Sequence, residues 1–175
     1  MVSFIFIGSD HAGFGMKSAV IEWIKGEYSF EYKKSHNIDL VISDEGTYSK
    51  NSCDYPDFAH SVCKLVIEYN KLSNPSQPEN DAIGIVICGT GIGMSIVCNR
   101  YQNIRCALCH NTELAIMTRK HNDANVLSLG ARVTDIETTI EIIKSFIETK
   151  FDGGRHSTRV SKINTPYTNS FPSIH

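Results

Sequence analysis

Residues 82–99 constrain this chain more than any other stretch. They read Ala-Ile-Gly-Ile-Val-Ile-Cys-Gly-Thr-Gly-Ile-Gly-Met-Ser-Ile-Val-Cys-Asn. Ile83 to Ile87 form a short apolar run rich in β-branched residues, the pattern of a strand buried inside a parallel sheet. Cys88-Gly89-Thr90-Gly91-Ile92-Gly93 breaks that run. Alternating glycines let the backbone turn tightly and come close to a ligand. A helix is expected from Ile92, with Met94, Ile96 and Val97 continuing the apolar pattern. Strand, glycine loop and helix start together aim backbone N–H groups at one anion. Cys88 adds a base or nucleophile at the strand end, and Thr90 adds a hydroxyl donor. Taken alone the loop is a weak signal, because a buried cysteine is most often a packing residue. It does not have the GxGxxG spacing of a dinucleotide loop, nor does it follow the first strand.

A chain of 175 residues suits one domain with a real core. The net charge of −2 gives no basic excess for a nucleic acid. No apolar stretch is long enough to span a membrane. Met1-Val-Ser-Phe-Ile-Phe-Ile reads as a strand and not as a signal peptide. Six cysteines without a leader favour free thiols in a reducing, cytoplasmic setting. Cys106 and Cys109 are formally CxxC, but in a strand residues three apart face opposite sides. No HxxxH or HxH pair occurs among the seven histidines, so no metal site is expected.

Strands are expected over 2–8, 40–42, 83–87, 104–109 and 126–129. Helices are expected over 14–25, 54–69, from 92, over 111–120 and over 136–149. This alternation predicts an α/β fold, a parallel sheet covered on both faces. Residues 26–37 are polar and charged and read as a surface excursion. Residues 70–80 read as a flexible loop, and His121 to Asn125 as a polar turn. Phe151 to Arg159 reads as a basic loop entering a short final element. Residues 161–175, with two prolines and no periodicity, read as a loosely ordered tail after a domain over 1–160. Strand ends carry Asp10 and His11, Asp44, Cys88 and Thr90, His110, and Arg132. The carboxyl edge of such a sheet is where ligands bind. Asp10 could instead simply cap its helix, which leaves His11 unexplained.

Together these motifs resemble the type B ribose-5-phosphate isomerases, which share a family with the galactose-6-phosphate isomerase subunits. The matching pieces are Gly8-Ser-Asp-His-Ala-Gly13, Asp44-Glu-Gly-Thr47, Asp54-Tyr-Pro56 and Cys88-Gly-Thr-Gly-Ile-Gly93. Arg119-Lys-His-Asn-Asp-Ala-Asn-Val126, Gly130-Ala-Arg132 and Gly153-Gly-Arg-His156 with Arg159 complete the set. The resemblance implies a Rossmann-like α/β/α sandwich with a five-stranded parallel sheet, and a homodimer with shared active sites. Dimer against tetramer is left open. Residues 26–40 and 70–80 are longer than in compact members. Where one branch of the family carries a glutamate past the third glycine, this chain has Met94, which cannot accept a proton. It therefore resembles the branch that uses the cysteine.

What the resemblance implies is aldose–ketose isomerisation through a cis-enediolate, needing no cofactor and no metal. Cys88 would move the carbon-bound proton as thiolate, a form that a nearby helix N-terminus favours in general. Thr90 and the backbone N–H groups from Gly91 to Gly93 would stabilise the oxyanion, with Gly89, Gly91 and Gly93 binding substrate. His121 would open the sugar ring as general acid, with Asp10 taking the anomeric proton. Asn122 would hold sugar oxygens, and Tyr55 would line the pocket. Arg132, Arg155 and Arg159, with His11, would bind phosphate, which guanidinium forks match bidentately. His121, Asn122 and Arg132 would come from the partner subunit. The substrate expected is D-ribose 5-phosphate, exchanged with D-ribulose 5-phosphate in the non-oxidative pentose phosphate pathway. A hexose 6-phosphate, such as allose or galactose 6-phosphate, is the nearest rival. A non-catalytic sugar-phosphate-binding module would have no need of Cys88. A nucleotide-binding domain, with Glu113 as its acidic residue, would leave His121 and the arginines without a role.

Overall fold

The computed structural model describes residues 1–72 and 81–163. Most of the loop read at 70–80, and the tail from 164 onward, lie outside the described residues. The strands are β1 (Val2–Ser9), β2 (Val41–Asp44), β3 (Asp81–Cys88), β4 (Cys106–Leu108) and β5 (Val126–Gly130). The helices are α1 (Phe14–Trp23), α2 (Ser29–His36), α3 (Tyr55–Leu72), α4 (Ile92–Cys98), α5 (Thr112–Asn122), α6 (Ile136–Glu148) and α7 (Arg155–Ser161). All strand pairs are parallel, in the order β2-β1-β3-β5-β4. The expected five-stranded parallel sheet is the one that forms.

Strand side chains alternate between the two faces. Ile5 and Ile7, Ile83, Ile85 and Ile87, and Leu127 and Leu129 pack with Val20, Ile142 and Phe146 on one face. Phe6, Val86, Cys88 and Val126 pack with Val62, Val66, Met94 and Cys98 on the other. The sheet is thus the middle of three layers. Helix α1 leaves β1 on the first face, and α4 leaves β3 on the second. Helices that leave adjacent parallel strands on opposite faces mark the point at the carboxyl edge where open α/β sheets bind ligands in general.

Residues 26–37 correct the sequence reading. A π-helical turn over Ile24–Tyr28 carries α1 straight into α2. Tyr28 and Tyr32 are 1% and 2% exposed, so this is a core element and not a surface excursion. Tyr28 stacks on Trp23 at 4.5 Å, and the Tyr32 hydroxyl donates to the Val2 carbonyl at 3.0 Å. Asn37, with φ of 57°, ends the helix in the left-handed conformation. A second correction concerns His121 and Asn122, which form the last turn of α5 and not a free polar turn. β4 is also shorter than the strand expected over 104–109. Cys106 packs on one face and Cys109 on the other.

Candidate active site

The first half of the site lies at the carboxyl edge, where β1 and β3 end side by side. The Asp10 N–H donates to the Ile87 carbonyl at 3.1 Å, which docks the β1 loop onto the end of β3. Asp10 Oδ1 accepts from the N–H groups of Ala12 (2.9 Å) and Gly13 (3.0 Å). The capping role is therefore real, and it holds the carboxylate still. The Cys53 N–H donates to His11 Nδ1 at 3.3 Å, so a neutral His11 ring carries its proton on Nε2.

Cys88 is 5% exposed and its sulfur accepts the Gly91 N–H at 3.1 Å. Gly91 reaches that position with φ of 77°, a conformation that favours glycine. The Gly91 N–H, which the resemblance gives to the oxyanion, is here donated to the thiol. The Ile92 N–H is similarly taken by Thr90 Oγ1 at 3.4 Å, so the exposed Thr90 hydroxyl keeps its own proton to donate. Gly93 makes room for Tyr55. A Cβ there would meet Tyr55 Cζ at 2.7 Å and its hydroxyl oxygen at 3.1 Å. Arg132 lies across the same loop. Its N–H donates to the Gly89 carbonyl at 3.0 Å, and a Cβ on Gly89 would meet its Nη1 at 3.3 Å. Arg132 thus reaches the glycine loop of its own chain, where the resemblance implied a partner's. Met94 is fully buried in the core, where it serves packing.

The second half lies at the opposite edge. Helix α5 runs back from the end of β4 to the start of β5, about 16 Å for its 11 residues at 1.5 Å each. Its last turn carries His121 and Asn122 to the amino edge of the sheet. Arg105, one residue before β4, pairs with Asp123 there at 2.7 Å. The Asp152 N–H donates to the Lys120 carbonyl at 3.1 Å, which brings α7 to the same end. The rings of His121 and His156 stack in parallel, 4.2 Å between centroids and 4° between planes. Arg155 and Arg159 are exposed on α7, one helical turn apart. One chain therefore brings Asp10, His11, Tyr55, Cys88, Thr90 and Arg132 together at one edge. It gathers His121, Asn122, Arg155 and Arg159 at the other.

The Ribose/Galactose Isomerase family profile matches residues 5–163. The chain belongs to this family. It is 34% identical to the ribose-5-phosphate isomerase B of Escherichia coli (strain K12) over 161 residues, 91% of this chain and 93% of that protein. It is similar to the crystal structure of a ribose 5-phosphate isomerase from Thermotoga maritima, with 39% identity and a TM-score of 0.78. That match covers 93% of this chain and 97% of the other. A ribose 5-phosphate isomerase B from Anaplasma phagocytophilum matches with 39% identity and a TM-score of 0.74, over 93% and 97% of the two chains. The family's sheet and helices are those described above.

Two residues near the site were not singled out from sequence. Lys17 is 1% exposed and forms an ion pair with Asp44 beneath the β1 and β2 loops. It lies on the same helical face as Val20 and Ile24, so its place in an apolar stripe was the signal. His156 belongs to a matching motif, but its contact with His121 joins residues 35 apart in sequence and has no local signature.

Proposed function

We propose that this protein interconverts D-ribose 5-phosphate and D-ribulose 5-phosphate, with Cys88 as the base that moves the proton between C2 and C1. The observation that carries this reading is the Cys88 loop. A nearly buried thiol accepts a backbone N–H at 3.1 Å, two residues from an exposed threonine, on the strand end where the Asp10 N–H meets the Ile87 carbonyl. Such a sulfur has a fixed position, as proton transfer between two adjacent carbons requires. The Thr90 hydroxyl stabilises the enediolate oxygen. His121 protonates the ring oxygen, Asp10 takes the anomeric proton, and Asn122 holds hydroxyls. Arg132, Arg155 and Arg159, with the His11 Nε2–H, hold the phosphate.

This chemistry needs both edges of the sheet at one substrate, which supports a homodimer whose two sites are each built from two chains. Ile92, Ile96 and Val133, beside the glycine loop, are each more than half exposed. An apolar patch of this kind is suited to a second copy. In that arrangement His121, Asn122, Arg155 and Arg159 of one chain face Cys88, Asp10 and Arg132 of the other. All six cysteines are free thiols, which supports a cytoplasmic place. Among the described residues no helix is long and apolar enough to cross a membrane.

The test is ketose formation from ribose 5-phosphate, allose 6-phosphate and galactose 6-phosphate by the purified protein with EDTA present. Preferred turnover of the pentose phosphate is expected. Preferred turnover of a hexose phosphate would reassign the substrate, and no turnover would reject the isomerase reading.

A further inference from the structure

We propose that His156 is a positioning residue, which fixes the ring plane of His121 through one face and the fork of Arg155 through one nitrogen. This rests on the reading of His121 as the ring-opening acid and of Arg155 as a phosphate ligand. The two imidazoles lie 4° from parallel at 4.2 Å, so His121 cannot rotate about its χ2 without losing the stack. His156 is itself held: it is 9% exposed and sits in the first turn of α7, whose lead-in is tied to α5 through Asp152 and Lys120. Its Nε2 accepts the Arg155 Nε–H at 3.4 Å, which leaves the terminal nitrogens of Arg155 for a phosphate.

The charge pattern suits this role. Burial holds His156 below the ordinary imidazole value of 6.5, and His121, Arg155 and Arg159 push the same way against an opposing Asp152. A neutral His156 can both accept from Arg155 and stack on a protonated ring. A charged His156 would do neither, since two facing imidazolium rings repel. One residue thus links the acid to the phosphate clamp.

Two variants separate the two contacts. His156→Phe keeps a flat ring for His121 but removes the acceptor for Arg155. His156→Gln keeps an acceptor but removes the ring. With ribose 5-phosphate, the Phe variant should hold kcat within about twofold while KM rises about tenfold, the loss of one charge-assisted hydrogen bond. The Gln variant should hold KM while kcat falls about tenfold or more, because a misaimed acid is costly. Unchanged constants in both variants, or the same change in both, would overturn the proposal. A separate readout does not depend on turnover. In an NMR titration, the His156 midpoint should rise when His121 is replaced by Ala, and a midpoint that does not move overturns the coupling. Normal kcat in His121→Ala would instead remove His121 as the acid, and wild-type turnover in the same assay tests the isomerase reading separately.

Discussion

The backbone N–H of Gly91 donates to the sulfur of Cys88 across 3.1 Å. Two features make that contact possible. Gly91 adopts φ of 77°, and a Cβ there would meet Leu108 Cδ1 at 2.5 Å and the Leu129 carbonyl carbon at 2.9 Å. The glycine thus serves the loop by directing an N–H at the thiol. If this sulfur is the base, Cys88→Ala abolishes turnover and leaves binding of a phosphate ligand near that of the wild type. Steady-state kinetics and calorimetry with a non-reacting sugar phosphate check the two halves. Turnover near wild type would remove Cys88 from the mechanism.

Gly93→Ala is expected to act through Tyr55. The new methyl would lie 2.7 Å from Tyr55 Cζ, and the ring, at an exposed position on the first turn of α3, can swing away. The outcome expected is a rise in KM of about tenfold with a melting temperature close to wild type. An unchanged KM would place Tyr55 outside the sugar pocket.

Lys17→Met tests the support beneath the loops. Asp44 would keep its contact with the Gly46 N–H at 3.0 Å but lose its cation. Its side chain is 31% exposed, so water softens the loss. A destabilisation of about 1–3 kcal/mol is expected from denaturant unfolding. A loss well below that range would mean that the pair contributes nothing to folding.

The His156 environment predicts a pH dependence of stability. Its folded-state value lies below 6.5, so below that pH the unfolded chain binds more protons than the folded one. This contribution is complete above about pH 6.5 and is lost as pH falls through the folded value. Wild type should therefore lose more melting temperature than His156→Phe between pH 7.5 and pH 5.5. Equal losses would contradict the neutral, stacked histidine.

Much of the fold was legible because the relevant signals are local. The β-branched run at 83–87 and the alternation of strands with helices specify the parallel sheet. At 26–37 the polar and charged composition masks the spacing of Ile24, Tyr28 and Tyr32. Those three recur every fourth residue, a helical face, and the π-helical turn keeps them on the core. In the site, the strand pattern places Asp10, Cys88 and Arg132 at the carboxyl edge, but the composition of the polar turn at His121 does not report that it ends a helix at the other edge. Arg132 follows a strand and so belongs at the carboxyl edge with Cys88. His121 ends a helix and so belongs at the other.

The split between the two edges is the central claim, and subunit mixing tests it most directly. Cys88→Ala and His121→Ala proteins are each inactive in this account. If the protein is the proposed homodimer, co-refolding in equal amounts makes half of the dimers hybrids. Each hybrid holds one site with an intact Cys88 facing an intact His121. Recovery of about a quarter of wild-type activity is the expected result for a two-fold dimer with shared sites. If each chain built its own site, no mixture would regain activity, and that result would contradict the account.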